Sequence, residues 1–369
     1  MSAQNGPNKP NKALKSPYPY FGGKSKVAAE VWRRFGDVPN YVEPFFGSGA
    51  VLLLRPGEPG TETVNDLDGM VSNFWRALQS DPDSVAYHAD WPVNENDLHA
   101  RHIWLVGAKD SLRGRLEGDP EYYDAKIAGW WVWGICAWIG SGFCSGAGPW
   151  HVEDGVLVKQ DNGGNRGKNI NRKRPHLGNR GVGINRKLPH LGDRGQGINR
   201  QLPHLSRGRG INRQRPNLGN RGEWIAEYFV ELAARLRDVR VCCGDWARVC
   251  GPTVTTKQGL TGVFLDPPYL HSAGRDTDLY SEESATVAND VREWAIEHGD
   301  DPLMRIALCG YDGEHIMPDS WDMFAWKTGC GYSSKGGRGE ANSHRERIWF
   351  SPHCLSQANA DADLFGDIP

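Results

Sequence analysis

The chain has 369 residues, 38% hydrophobic and 24% charged, enough to bury a substantial core as one large or two modest domains. Its formal net charge of −2 hides a division: between Gly155 and Gly222 stand 16 Lys and Arg against two acids, Asp161 and Asp193, a local +14 that leaves the rest at about −16. Asymmetry on this scale points to a nucleic-acid contact carried by one segment, while eight scattered cysteines with no C-x-x-C pair and no His/Cys cluster argue against a metal site or a disulfide framework.

Residues 1–16 read as a disordered leader, polar and without the apolar core of a signal peptide, so a reduced cytoplasmic setting is expected. Tyr20-Phe21-Gly22-Gly23-Lys24 precedes a helical stretch from Val27 to Phe35. Paired glycines before a lysine at a helix start either form a plain turn or let backbone N–H groups and an ammonium converge on an anion. From Asn40 to Val51 a short strand runs into Glu43-Pro44-Phe45-Phe46-Gly47-Ser48-Gly49, followed by a helix-forming run from Ala50 to Leu54. This has the form of the first βα turn of a nucleotide-type site, but the third glycine of G-x-G-x-x-G is replaced by Leu52, which argues against ordinary NAD binding. A second strand ends in Asn65-Asp66-Leu67-Asp68 before a helix from Gly69 to Gln79. An acid about twenty residues after the glycine loop suits ribose hydroxyls, and one of Asp66 and Asp68 can cap the helix while the other binds.

Residues 80–222 begin with helical material, Asn96 to Leu116 and Tyr122 to Trp138. Ile127 to Trp150 is uncharged and long enough to span a bilayer, but its glycines, its proline and its five spread tryptophans favour a buried helix running into a glycine-rich loop, so no membrane partner is expected. An internal repeat follows: Ile-Asn-Arg at 170, 184, 198 and 211, with Pro-His-Leu at 175, 189 and 203 and Pro-Asn-Leu at 216. Each unit holds too few large apolar residues for a core, so 160–221 reads as a basic low-complexity insert, and its cations can neutralise phosphates. The repeated His176, His190 and His204 reflect duplication rather than a metal site.

From Glu223 an amphipathic helix returns the chain to a core, followed by the strand Val239 to Cys243 and Asp245-Trp246. The run Val263-Phe264-Leu265 stops at Asp266-Pro267-Pro268-Tyr269, which reads as a buried parallel strand with a carboxylate held at its C-terminal edge, where open α/β sheets bind ligands. A polar loop (His271 to Leu279), a helix (Glu282 to His298) and strands at Arg305 to Cys309, Asp322 to Lys327 and Arg347 to Phe350 bring the count to seven. The basic loop 332–339 is either a DNA-backbone contact or an exposed hairpin tip.

Tyr20-Phe21-Gly22-Gly23-Lys24, the Glu43-to-Gly49 loop, Asn65-Asp66 and Asp266-Pro267-Pro268-Tyr269, in this order, resemble the Dam-type DNA adenine-N6 methyltransferases, including phage-encoded members. The resemblance implies a Rossmann-like α/β fold with a mixed seven-stranded sheet, S-adenosylmethionine as cofactor, and DNA, expected to be double-stranded, as partner. It divides the chain into a catalytic domain (17–79 and 223–351), an inserted target-recognition region (80–222) and a tail (352–369). Carried over, the cofactor pocket comprises Tyr20, Lys24, Glu43, Phe45, Gly47, Gly49, Asp66, Asp245, Trp246 and Asp266. The catalytic loop is Asp266, Pro267, Pro268 and Tyr269. The family's recognition stretch is not legible; Trp138 to Cys144 occupies a similar place.

The chemistry fits these atoms. The N6 lone pair of adenine is delocalised into the ring, and acceptors at Asp266 and the Pro267 carbonyl would localise it for direct methyl transfer, with Tyr269 stacking on a flipped-out base. Cytosine-C5 chemistry needs a cysteine, typically after proline, and no cysteine here follows one. Cytosine-N4 methylation and a catalytically silent DNA-binding relative are the alternatives.

Overall fold

The computed structural model describes residues 14–20, 22–138, 143–144, 150–153, 156–159, 225–269, 280–326 and 345–356. Phe21, most of the recognition-like stretch 138–144, the repeat insert 160–221 and the loops 271–279 and 332–339 lie outside the described residues.

In chain order the elements are α1 (Ala28–Phe35), β1 (Asn40–Glu43), β2 (Thr61–Asp66), α2 (Gly69–Ser80), α3 (Pro82–Ala89), α4 (Glu95–Gly118), α5 (Ala125–Ala137), β3 (Trp150–Glu153), β4 (Val156–Lys159), α6 (Ile225–Leu236), β5 (Val239–Cys243), β6 (Thr261–Leu265), α7 (Tyr280–His298), β7 (Met304–Tyr311), β8 (Asp322–Ala325) and β9 (Glu346–Phe350). Four helices start on side-chain caps: Asp68, Asp81, Asn94 and Asp124 each accept a hydrogen bond from a first-turn N–H.

Seven strands form one mixed sheet in the order β5-β2-β1-β6-β7-β9-β8, with β3 and β4 pairing apart as an antiparallel hairpin. The first five of these strands are parallel, and β9 and β8 add antiparallel. Every residue of β1 and of β6 is buried, as expected of strands covered on both faces. The chain leaves β1 toward β2, while β6 lies on β1's other side, so a crevice opens beyond the C-terminal ends of β1 and β6, the switch point at which such sheets bind ligands. The mixed seven-stranded α/β sheet is the expected architecture.

After the inserted region, α6 is tied back to the N-terminal half through charge. Arg235 grips Glu62 of β2 at 2.6 and 2.8 Å, and Arg55 reaches the same carboxylate at 3.0 Å. Gln79 of α2 donates to the carbonyl of Val239 at 2.8 Å.

Several local expectations differ from the structure. The run Ala50 to Leu54 makes only a 3-10 turn at Leu52–Leu54, because Pro56 holds Arg55 in an extended conformation (ψ 126°) that a helix cannot use. Helix α3 and the β3–β4 hairpin were not anticipated. Within the expected leader, Leu14 packs on the core and the Lys15 backbone exchanges hydrogen bonds with the Tyr228 hydroxyl. Within the expected tail, the Leu355 N–H donates to Arg34 O at 2.8 Å. Among the described residues no helix is long and apolar enough to cross a membrane, and no group of side chains could hold a metal ion.

Candidate active site

The glycine loop leaves the end of β1. Glu43 is buried there and accepts from the Tyr41 hydroxyl at 2.8 Å; burial pushes its carboxyl well above the ordinary range. Gly47 and Gly49 turn the loop with φ of 47° and 68°, a region that side-chain-bearing residues avoid. A Cβ on Gly47 would stand 2.6 Å from the Tyr20 ring, so Tyr20 lies directly on the loop. The Gly47 carbonyl accepts from the Tyr18 hydroxyl (2.7 Å) and the Trp75 indole (2.9 Å), and its N–H donates to Asp66 Oδ2 at 2.8 Å.

Of the two acids after β2, Asp68 is the helix cap and Asp66 faces the glycine loop. Asp66 Oδ1 also accepts from the Asp68 N–H at 2.9 Å. Burial, with the Asp68 charge adding to it, pushes the Asp66 carboxyl up to about 7, against the pull of those two N–H groups. The Asn65 amide donates to Pro44 O (3.1 Å) and Gly244 O (2.9 Å), tying the loop to the end of β5. There Asp245 caps a 3-10 turn, and Trp246 lies near-parallel to Phe45, rings 6.4 Å apart at 25°.

The second half of the site lies at the end of β6. Lys24 Nζ sits 2.9 Å from Asp266 Oδ2 and donates to Gly22 O at 2.8 Å, with only 4% of its side chain exposed. The anion met by this lysine is thus the carboxylate of the Asp-Pro-Pro-Tyr loop. Burial, the largest single influence, disfavours the ammonium, but Asp266, Cys309 and Glu346 together outweigh it and hold the Lys24 pKa above its ordinary value. Tyr269 lies with its hydroxyl 2.9 Å from Asp266 Oδ1 and 3.1 Å from Glu346 Oε2, its ring edge-on to Tyr311 and 5.2 Å from the ammonium. Pro267 is buried and Pro268 exposed.

The fold therefore gathers the sequence candidates into three groups: Lys24 with Asp266 and Tyr269; Tyr20 with Gly47 and Asp66; Phe45 with Trp246. Glu346, Tyr18 and Tyr311 belong to the same surroundings and were not singled out from sequence, while Asn65 was named there only as part of the Asn65-Asp66 motif, without a role of its own. Glu346 had a legible signal, an acid opening the apolar strand Glu346–Phe350, where it is 5% exposed.

Residues 20–101 match the family model described as D12 class N6 adenine-specific DNA methyltransferase. The matched segment holds Tyr20, Lys24, the glycine loop and Asp66, and its lysine pairs with Asp266, far outside the match. No curated protein matches the chain. Residues 20–101 are thus similar to the D12 class of N6 adenine-specific DNA methyltransferases, and the mixed seven-stranded sheet carries the matched segment.

Proposed function

We propose that the methyl donor is S-adenosylmethionine, that the DNA is double-stranded, and that Asp266 and the Pro267 carbonyl accept hydrogen bonds from the amino group of an adenine flipped out of the duplex. The observation that carries this reading is the placing of Asp266 at the C-terminal edge of β6, beside the glycine loop that leaves β1, with Lys24 and Tyr269 bound to its carboxylate. The surroundings of the glycine loop fit the donor. Gly47 and Gly49 keep the backbone open to close approach, Asp66 is an acid suited to ribose hydroxyls, and Phe45 with Trp246 offers flat apolar faces for a purine. Tyr20, Glu43 and Asp245 complete the proposed pocket.

S-adenosylmethionine supplies an electrophilic methyl group. The protein's part is to orient the acceptor and exclude water. Accepting the N6 hydrogens draws the amino nitrogen toward a tetrahedral shape whose lone pair points at the methyl carbon. The N–C bond would form as the donor's sulfonium–methyl bond breaks to leave a neutral thioether, and one N6 proton then leaves to Asp266 or to water. Effective concentration and orientation supply most of the acceleration, with no covalent intermediate on the protein. Tyr269, its hydroxyl held by Asp266, offers the ring on which the extruded base stacks. The seven cysteines among the described residues are all free, which supports a reduced cytoplasmic setting.

Mass analysis of nucleosides from unmethylated duplex DNA incubated with the protein and S-adenosylmethionine tests this reading. N6-methyladenine is the expected product. N4-methylcytosine would overturn the substrate, and donor binding without any methylated base would mark a silent DNA-binding relative.

A further inference from the structure

Asp266 has a problem that its own neighbours create. One of its oxygens faces an ammonium at 2.9 Å and the other a tyrosine hydroxyl at 2.9 Å. A carboxylate has about four lone-pair sites, so room remains for an amino N–H. A one-to-one pair with Lys24 in a buried pocket is nonetheless close to electrically neutral, and a weak acceptor for a nitrogen that turns positive during methyl transfer.

The second carboxylate of the cluster changes this balance. Glu346 Oε2 lies 3.1 Å from the Tyr269 hydroxyl and 4.0 Å from the Lys24 ammonium, so both groups that engage Asp266 are shared with it. Glu346 is delivered from the far side of the sheet's switch point: β9 pairs with β7, and Glu346 stands opposite Tyr311 in the register. With both acids ionised the cluster carries one positive and two negative charges. The hydroxyl has a single hydrogen, and each carboxylate that reaches it relieves the other.

We propose that Glu346 is a positioning residue for methyl transfer, one that shares the Lys24 ammonium and the Tyr269 hydroxyl with Asp266 and so leaves Asp266 the negative charge and lone pairs that the adenine amino group requires. The inference rests on the reading given under Proposed function. Glu346 is not itself one of the residues proposed for the donor pocket.

The titratable groups around Glu346 are Lys24 on the approach to α1, Asp266 and Tyr269 after β6, Cys309 and Tyr311 on β7, and Glu314 beyond it. Burial first, and repulsion from Asp266 second, raise the Glu346 carboxyl above its ordinary value, with Lys24 opposing. Acidification therefore neutralises Glu346 sooner than an exposed glutamate and throws Lys24 wholly onto Asp266. The rate should fall as pH drops through that raised value.

The test is single-turnover methylation of duplex DNA at saturating S-adenosylmethionine, across pH, for wild type, Glu346→Gln and Glu346→Asp. Saturation removes the separate titration of Asp66 from the comparison. Glu346→Gln mimics the neutral state: it should transfer methyl about ten- to hundredfold more slowly at neutral pH, bind the donor as tightly as wild type, and lack the acidic step assigned to Glu346. Glu346→Asp should recover part of the rate and keep the step. A Glu346→Gln enzyme with wild-type rate, or a slow one whose pH profile is unchanged, would overturn the proposal. If Glu346→Gln does not fold, the aspartate variant decides, and loss of the step there would overturn it as well. Wild-type protein that methylates no adenine would overturn the underlying reading, an outcome distinct from any variant's failure.

Discussion

Asp66 shows how one residue can hold a loop and also receive a ligand. Its two oxygens take N–H groups from Gly47 and Asp68, so the carboxylate fixes the turn that brings it to the glycine loop. With its carboxyl pushed up to about 7, Asp66 is protonated in the empty protein below that pH and ionised above it. A ribose hydroxyl donates best to the ionised form, so S-adenosylmethionine affinity should rise as pH increases from 6 to 8. The folded-state pKa is raised, so Asp66's own contribution to stability runs the opposite way, present below its unfolded value of about 4 and lost as pH rises through about 7. Titration calorimetry checks the affinity prediction: Asp66→Asn should bind more weakly and lose the slope, and a slope kept in that variant would remove Asp66 from the donor site. At this scale Asp266 was legible from sequence because two prolines and an apolar run fix a strand's end. Glu346 offered only the bare signal of an acid opening an apolar strand, because its role depends on which strand β9 pairs with, and it lies 77 residues from Tyr269.

Elements joined across the inserted region depend on a buried charge cluster rather than on sequence neighbours. Glu62 on β2 is about 1% exposed and is held by Arg55 and by Arg235 of α6. Removing one partner of such a pair strands the other in a dry site. Arg235→Met should therefore destabilise the fold by about 3 kcal/mol, softened to the extent that Arg55 still holds the acid. Urea denaturation followed by circular dichroism measures it, and a loss below about 1 kcal/mol would show that α6 is anchored by its apolar face alone. The strands around the switch point could be read from their apolar runs. Helix α3 was missed although Asp81-Pro82, a cap followed by proline in the first turn, was available as a signal; eight residues are too few to display a convincing helical period. The β3–β4 hairpin has only four residues in each strand, again too short to stand out beside a repeat of stronger periodicity.

Across the whole molecule, chemistry and charge are separated along the chain. The groups proposed for methyl transfer come from residues 20–80 and 239–350, while the segment 160–221 carries 15 Lys and Arg against two acids. If those cations meet phosphate, deleting 160–221 should weaken binding to any duplex and flatten the dependence of log Kd on log salt, with the sheet's melting temperature little changed. Fluorescence anisotropy at several salt concentrations reads the slope, and an unchanged slope would leave the insert without a part in binding. Fold class was legible at this scale because four motifs stand in fixed order, three of them at strand ends and one before the first helix. The order of strands was not, since pairing across some 200 residues leaves no trace in local pattern.

The most direct test of the central claim, that Asp266 at the end of β6 directs methyl transfer to adenine N6, is modification-sensitive sequencing of unmethylated DNA treated with wild type and with Asp266→Ala. N6-methyladenine in one short recurring context with wild type, and at least about a hundredfold less with the variant while donor binding is largely kept, is the predicted result. Modification by the variant at the wild-type level would contradict the role of Asp266, and modified cytosine in place of adenine would contradict the reaction itself.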